Sequence, residues 1–283
     1  MYRSLNAANP LGQVATPSPL RRGAGLTLVE LLIAMSIMGV MAAMVAGLSE
    51  AASSGWKHGL GHAEATQHAR VALERITRSV REAWATADHP GCVVSYTEFG
   101  AWRFPDTLVV WAPNGPPQGV NGMPLVNECV MYCPDPVNPN QLVEIRAPYD
   151  TREIPLTSEL NQSTWQTEIA LIKTSPSSTK VVLTDLLRTS ENTIGGVYRG
   201  AIRFERELRP SDSEWAAYQA STIAWSDMSW PQDLYGSSRG SRQVWMRVEL
   251  QLMPGDEVQA KDPAGQQAVV FFGSADLTYT LSK

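Results

Sequence analysis

Residues 25–49 read GLTLVELLIAMSIMGVMAAMVAGLS. This stretch decides the fold because one charged side chain, Glu30, stands at the head of an uninterrupted apolar run. The nineteen residues from Leu31 to Ser49 would measure about 28 Å as an α-helix, at about 1.5 Å per residue. That length is close to the hydrocarbon core of a bilayer, which is about 30 Å thick. The sequence therefore predicts a membrane-spanning helix with a carboxylate that needs a partner.

Positive charge precedes the apolar run and is absent from it. Arg3, Arg21 and Arg22 are the charged residues of the first 25 positions. This asymmetry predicts a cytoplasmic N-terminus and an exported C-terminal part. The chain of 283 residues has a formal net charge of −5, and the part after residue 25 is three units more acidic because it lacks those arginines. Such a balance gives no general electrostatic basis for nucleic-acid binding.

Three other kinds of targeting segment compete for the same stretch. A secretory signal peptide would use Arg21 and Arg22 as its basic region, but its apolar region would be unusually long and would begin with Glu30. A twin-arginine signal fits poorly, because Gly-Ala-Gly and an intensely apolar run follow the pair. A plain signal anchor would explain the apolar run but not the pairing of Gly25 with Glu30.

The spacing of Gly25 and Glu30 resembles the signal of type IV pilin-like proteins, a group that includes the pseudopilins of type II secretion. The resemblance implies that a prepilin peptidase cleaves after Gly25 and that the new first residue, Leu26, is N-methylated. It also implies that Glu30, the fifth mature residue, pairs with the N-terminal amine of a neighbouring subunit inside a helical filament. An ammonium group is also the physical partner that would offset a carboxylate in a low dielectric.

The helix is expected to continue beyond the apolar run. Residues 63–87 carry apolar side chains at steps of three and four, with charged side chains on the other faces. Gly55, Gly59 and Gly61 predict a break or soft point, since glycine weakens a helix by about 1 kcal/mol relative to alanine. Residues 88–91, Asp-His-Pro-Gly, predict its end.

Short strands are predicted after residue 92. The clearest lies at 244–253, where Met246, Val248 and Leu250 alternate with polar residues. Such alternation indicates an antiparallel sheet with one covered face, and the helix supplies the cover. The predicted class is therefore α+β, with a long N-terminal helix packed on an antiparallel β-sheet head. The other predicted strands are 107–112, 141–147, 168–173, 180–183, 196–207, 268–272 and 277–281, with a proline-rich loop at 113–140.

These elements predict four segments. Residues 1–25 form the leader peptide, 26–49 the transmembrane or filament-core helix, 50–90 its amphipathic continuation, and 91–283 a periplasmic β-rich head. About 200 residues in the head suffice for a real hydrophobic core.

The helix sequence RVALERITRSVREA, residues 70–83, resembles that of J-type minor pseudopilins and W-type minor pilins. The head pattern, with strands at 196–204 and 244–252 around Trp215, Trp225 and Trp230, is similar to the two-sheet head of the J type. The resemblance implies a minor subunit, tip-proximal in a type IV pilus or type II secretion pseudopilus. The implied partners are the prepilin peptidase, other minor and major pilins or pseudopilins, the inner-membrane assembly platform and the lipid bilayer.

Three cysteines lie in the predicted exported part, where an oxidising compartment would permit one disulfide. Cys129 and Cys133 frame Val-Met-Tyr in the proline-rich loop and form the favoured candidate pair. Cys92 could instead tie the end of the helix to that loop. A zinc site is a weaker alternative, because Cys-x3-Cys stands without a nearby Cys or His pair.

No sequence motif of enzyme catalysis or of a cofactor site is present. His58 and His62 are four residues apart on the predicted helix, without an evident third metal ligand. Solvated loops or buried anchors account for other candidates, namely Asp212, Glu214, Asp256, Glu257 and Asp262 as calcium ligands and the nine tryptophans as a carbohydrate platform. The sequence therefore predicts a structural subunit without catalytic residues, metal or cofactor. A membrane-anchored or secreted periplasmic binding protein is the alternative.

Overall fold

The computed structural model describes residues 27–99, 102–119, 123–154, 162–191, 198–229, 239–254 and 268–282. The chain divides into two compact units, Met1–Ser54 and Gly55–Lys283. Helices and strands in the described ranges confirm the predicted α+β class, with a long N-terminal helix followed by antiparallel sheets.

Helix α1 is continuous over Leu28–Arg81, 54 residues. The break predicted at Gly55, Gly59 and Gly61 is wrong. Without proline, each backbone N–H in this stretch can keep its acceptor four residues earlier, so glycine lowers the helix propensity without removing a bond. The helix also ends before the predicted stop at 88–91, at Arg81, with Arg78 and Arg81 in a last turn that favours positive charge.

The part of α1 in the first unit is exposed along its whole length, residues 28–54. Its large apolar side chains are exposed, and Leu28, Met38 and Leu48 are each at least 70% exposed. A helix so apolar and so long is suited to cross a membrane by length and composition.

In the second unit, a five-stranded antiparallel sheet has the order β1-β2-β3-β4-β5. Neighbouring strands in this sheet are also neighbours in the sequence, as short connections favour. The strands are β1 Cys92–Phe99, β2 Trp102–Trp111, β3 Cys129–Pro134, β4 Leu142–Arg146 and β5 Thr179–Thr184.

Both faces of this sheet are buried at its centre, over β3, β4 and the second half of β2. One face packs with the small residues of α1, which include Ala65, Ala69 and Ala72. The other packs with helix α2, Gln162–Thr174, through Trp165, Ile169 and Ile172. The strand predicted at 168–173 is therefore wrong, because these residues belong to α2, whose buried side chains Trp165, Ile169 and Ile172 lie four and three residues apart, as on one face of a helix.

A second antiparallel sheet has the order β10-β9-β8 and one covered face. Its inner side chains, including Met246, Val248 and Leu250, join the same core as α1 and are fully buried. The alternation predicted at 244–253 is therefore confirmed. The three strands are β8 Ile202–Arg209, β9 Arg239–Leu252 and β10 Val269–Ser282, while β6 Thr189–Glu191 and β7 Tyr198–Gly200 form a separate pair.

Several predicted strand limits require correction. The segment 196–207 is not one strand, because β7 and β8 belong to different sheets; residues 196–197 lie outside the described ranges. The segments 268–272 and 277–281 belong to one strand, β10. The predicted loop at 113–140 contains β3, and the predicted strands at 107–112, 141–147 and 180–183 correspond to β2, β4 and β5.

Helix α3, Asp212–Gln219, follows β8. Trp215 packs with Trp225 and Met228 and with Leu281 of β10, and all four side chains are buried. These two tryptophans therefore act as buried anchors rather than as an open platform, and Trp230 lies outside the described residues.

The disulfide predicted between Cys129 and Cys133 is not formed in this structure, where both are free, buried thiols. They lie at the first and fifth positions of β3. Four steps of extended chain span about 13 Å, whereas disulfide-bonded Cα atoms lie within about 7 Å. Cys92 packs with α1 on one face of the sheet, whereas Cys129 and Cys133 pack with α2 on the other. The alternative pairing with Cys92 is therefore also incompatible with this fold.

Candidate assembly site on the N-terminal helix

Thr27 and Glu30 form a reciprocal cap at the start of α1. The backbone N–H of Thr27 donates to Glu30 Oε2 at 2.9 Å, and the Thr27 hydroxyl donates to the same oxygen at 3.0 Å. The N–H of Glu30 donates in return to Thr27 Oγ1 at 3.3 Å. This arrangement is a capping box, which satisfies backbone donors that have no partner inside the helix.

Thr27 is a site residue that our reading of the sequence missed. The spacing Thr-x-x-Glu at residues 27–30 is the recognised signal for a capping box, and it was available in the sequence. The structure thus gives Glu30 a second role beside the one that the resemblance implies: it starts the helix. A negative charge in the first helical turn is also favoured by the helix dipole.

The carboxylate of Glu30 keeps capacity for another partner. All of its hydrogen bonds within the described chain come from Thr27 and converge on Oε2. An ionised carboxylate has about four acceptor positions on two oxygens. Thr27 supplies neutral donors only, so the negative charge itself is not balanced by a cation in the described residues.

The surface next to Glu30 is apolar and continuous. From Leu31 to Ser49 the helix carries no charged side chain. Its hydroxyls can be satisfied within the helix: Ser36 Oγ donates to the carbonyl of Leu32 at 2.9 Å. Glu30 is thus one carboxylate at the end of an apolar helical segment, and this segment can pack against lipid or against similar helices.

Gly25 and Leu26, the predicted cleavage and methylation positions, lie outside the described residues. The leader, residues 1–25, does so as well. Thr27, the first described residue, is the second residue of the predicted mature chain.

The other predicted carboxylate and histidine candidates have local roles where they are described. Asp212 accepts hydrogen bonds from Arg206 and Arg242, and Glu214 caps α3. The rings of His58 and His62 contact each other edge to face, with centroids 4.5 Å apart. In the described ranges, no three His, Cys, Asp or Glu residues are placed to hold a metal ion. Asp256, Glu257 and Asp262 fall outside those ranges.

The family model of the prokaryotic N-terminal methylation motif matches residues 20–46. The matched stretch contains Gly25, Leu26 and Glu30 and most of the apolar run. No curated protein and no solved structure matches the chain.

The chain carries a prepilin-type N-terminal methylation motif, and this supports a type IV pilin-like protein. The motif implies processing by prepilin peptidase and assembly with other pilins, and it indicates a structural subunit. Together with the apolar helix, it is consistent with a protein anchored in the inner membrane.

Proposed function

We propose that this chain is a minor structural subunit of a type IV pilin-like filament, either a type IV pilus or a type II secretion pseudopilus. The observation that carries the proposal is the methylation motif at residues 20–46, with its Gly25-to-Glu30 spacing. The apolar helix that begins within the motif supports it further, since residues 28–54 are all exposed.

The processing steps follow from the motif. Prepilin peptidase cleaves between Gly25 and Leu26 on the cytoplasmic side, and the amine of Leu26 is then methylated. This step creates a cationic N-terminus one residue before the Thr27 cap. In the filament, the amine of one subunit pairs with Glu30 of its neighbour, which balances the charge that Thr27 leaves unbalanced.

The proposed segments have separate tasks. Residues 1–25 are the removed leader, and 26–49 form the membrane span and later the filament core. Residues 50–90 contain the helical part that packs on the head, and 91–283 form the head on the periplasmic side. Positive charge before the span and its absence within it support this orientation.

The subunit is proposed to lie near the filament tip. The similarity of residues 70–83 to J-type and W-type minor subunits supports this place. Two packed sheets and a second covering helix also make the head bulky, which disfavours endless stacking of identical copies. Its partners are other minor and major subunits and the inner-membrane platform that lifts them from the bilayer.

Intact-mass analysis of the mature protein tests the processing. The expected chain begins at Leu26 with one added methyl group. A chain that retains Met1, or one that begins near residue 50, would instead favour a periplasmic binding protein that is anchored or secreted by another route.

Replacing Glu30 tests the charge pairing. The Glu30→Ala chain is expected to enter the membrane normally but to be lost from sheared filaments by at least tenfold. Ser36→Ala is the matched control, because it also removes a polar side chain near the start of the helix. The hydrogen bond of Ser36 stays within the helix, so its loss should not affect pairing between subunits. Normal incorporation of the Glu30→Ala chain would reject the pairing.

A further inference from the structure

Strand β10, Val269–Ser282, forms one edge of the three-stranded sheet. It pairs with β9 over its full length of fourteen residues, from Val269 opposite Leu252 to Ser282 opposite Arg239. The pairing proceeds without a shift in register, so the edge contains no bulge. A long, regular edge of this kind is a template for another strand.

The hydrogen bonds of β9 show which groups of β10 point outward. The N–H of Gln251 donates to the carbonyl of Ala201, which precedes β8. Odd-numbered residues of β9 therefore direct their backbone toward β8, and even-numbered residues direct theirs toward β10.

The partners on β10 follow from the register. Leu250 and Val248 lie opposite Phe271 and Gly273, so odd-numbered residues of β10 bond to β9. Even-numbered residues consequently direct their N–H and C=O groups away from the sheet. A hydrogen bond from Arg81 supports this assignment: its side chain donates to the carbonyl of Ser274, an even-numbered residue, at 3.5 Å.

The remaining outward backbone groups have no hydrogen-bond partner in the described chain. They belong to alternate residues on one side of the strand, namely Val270, Phe272, Asp276, Thr278 and Thr280. Natural edges are usually protected by lysine, proline, a bulge or short length. The sequence of β10, VVFFGSADLTYTLS, has neither lysine nor proline.

The side chains along this edge specify what would fit beside it. Phe272 is 57% exposed and Val270 is 44% exposed, so an added strand would find apolar surface there. Asp276 lies four residues further along the same face and makes no ion pair with a described residue. A complementary strand would place an apolar residue beside Phe272 and a lysine or arginine beside Asp276, four positions apart.

The charge of Asp276 argues against a second copy of β10 as the occupant. Strand β10 contains no lysine or arginine, so no register of a β10 pair places a cation from that strand beside Asp276. Direct pairing of Asp276 with itself would oppose two carboxylates, which is unfavourable.

We propose that the outer edge of β10 accepts an extended strand from a different subunit of the assembly, added by backbone hydrogen bonds. The identity of the partner as a filament subunit rests on the proposed function. The strand itself is defined by its chemistry: extended backbone, an apolar residue and a basic residue four positions apart on one face.

Site-specific photocrosslinking in intact cells tests the proposal. Full-length chains carry benzoylphenylalanine in place of Phe272, with Tyr149, which is more exposed than Phe272, as a control position outside the sheets. The expected adduct at 272 joins a non-identical chain within an extended segment that has the apolar and basic spacing given above. An adduct with this chain only, or none, would overturn the proposal.

Two backbone variants separate strand addition from side-chain contact. Thr278→Pro removes an outward N–H, so no hydrogen bond to β9 is lost. Proline is also tolerated at such edge positions. It is expected to reduce the adduct at least tenfold, whereas Thr278→Ser retains it. An adduct that persists in a folded Thr278→Pro chain would overturn the proposal.

Asp276→Lys provides a second test if Thr278→Pro does not fold. The lysine in Asp276→Lys would repel the basic residue expected on the added strand, so this variant should reduce the adduct at least tenfold. Asp276→Asn should reduce the adduct less, and equal adducts in the two variants would overturn the proposal.

Filament entry that depends on Glu30 but not on Thr278 or Asp276 would reject only the β10 edge. Absence of the unmodified chain from filaments would instead reject the proposed function.

Discussion

Arg75 on α1 and Glu144 on β4 form a two-point ion pair between the helix and the first sheet. Arg75 Nη2 donates to Glu144 Oε1 at 3.1 Å, and Arg75 Nε donates to the other oxygen at 2.5 Å. Glu144 is 2% exposed, and Arg146 donates to Oε1 as well, at 3.0 Å. Burial opposes ionisation of Glu144, but the hydrogen bonds from Arg75 and Arg146 outweigh it and hold its pKa below the ordinary value.

Removing Arg75 is expected to destabilise the head. Arg75→Met keeps most of the side-chain length but leaves a buried carboxylate with fewer charged donors. The free energy of unfolding should fall by about 1.5–3 kcal/mol, the range for hydrogen bonds to charged groups. Chemical denaturation of the full chain in detergent, followed by tryptophan fluorescence, measures this change.

Arg78→Met is the matched control for Arg75. Arg78 lies on the same helix and pairs only with exposed Glu74 in the described residues, at 3.5 Å. Exposed pairs contribute about 0–1 kcal/mol. Equal losses in the two variants would contradict a special role of the Arg75–Glu144 pair.

His89 is expected to make the head less stable in mild acid. The side chain is buried, and Nδ1 accepts the N–H of Gly91 at 3.0 Å. Burial, with a further contribution from the Arg206 charge, lowers the pKa of His89 to about 3. Below about pH 6.5, His89 therefore binds a proton in the unfolded chain but stays neutral in the folded chain. Stability consequently falls as the pH decreases from 6.5 toward 3.

The His89 contribution can be isolated between pH 6.5 and 5. Over this range the slope of the unfolding free energy against pH that is due to His89 approaches about 1.4 kcal/mol per pH unit, the value for one proton. His89→Asn preserves an acceptor for Gly91 but cannot titrate, so its unfolding free energy should vary less with pH. Denaturation curves at several pH values test this, with His62→Asn as a control on the helix. An unchanged slope in His89→Asn would refute the assignment.

Glu214 is expected to make the stability of the head depend on pH over a lower range than His89 does. The backbone N–H and hydroxyl of Ser211 donate to Glu214 Oε2, each at 2.8 Å, and Ser229 adds two further donors. The backbone donor of Ser211 is the leading cause that lowers the pKa of Glu214 to about 2, against some desolvation. The stabilisation is complete above about pH 4.5 and is lost as the pH falls toward 2.

Ser211→Ala should remove most of the cap of α3. Loss of such a cap costs about 1 kcal/mol, measured as a change in unfolding free energy at pH 7. Glu214→Gln should remove the pH dependence between 4.5 and 2, whereas Glu74→Gln on the exposed face of α1 should not. A Glu214→Gln chain with the original acid profile would contradict this prediction.

All three cysteines are expected to remain free thiols. Burial raises the pKa of Cys92 and of Cys133 to about 11, which disfavours the reactive thiolate. Iodoacetamide should therefore modify none of the three in the folded chain and all three after unfolding without a reductant. Intact mass gives the count, and a single modified cysteine after unfolding would reveal a disulfide.

Thr27 is expected to control the first turn of α1. Thr27→Val removes the hydroxyl that accepts the N–H of Glu30, so exchange of that amide should accelerate about fivefold, as loss of a cap predicts. Hydrogen exchange of the protein in detergent micelles measures the rate. Thr27→Ser retains the hydroxyl and should exchange at the original rate; equal rates in the valine and serine chains would exclude the cap.

The second sheet was predictable because only one of its faces is buried. In β9, Met246, Val248 and Leu250 are fully buried, and the exposed residues Trp245 and Arg247 alternate with them. A period of two in the sequence records that single covered face. The signal at Gly25 and Glu30 is local for a related reason, since the two residues are close in the sequence and their spacing carries it; the equally local spacing of Thr27 and Glu30 was missed.

The first sheet was harder to predict because both faces of its central strands are buried. In β3, the five residues from Cys129 to Cys133 are all buried, so no alternation marks the strand. Neighbouring prolines then favoured a loop. Helix α2 was mistaken for a strand because its short apolar run around Ile169 does not by itself distinguish the two structures.

The sequence by itself determined the N-terminal helix, its motif and the covered face of the second sheet, because their signals are local spacings of charge and apolar residues. Only the tertiary structure decided that Cys92 and Cys133 lie on opposite faces of one sheet and that Arg75 meets Glu144. It also decided that β10 ends its sheet with backbone groups that no described residue pairs. Strand order and contacts between distant residues result from the packing of the whole core, and no local pattern encodes them.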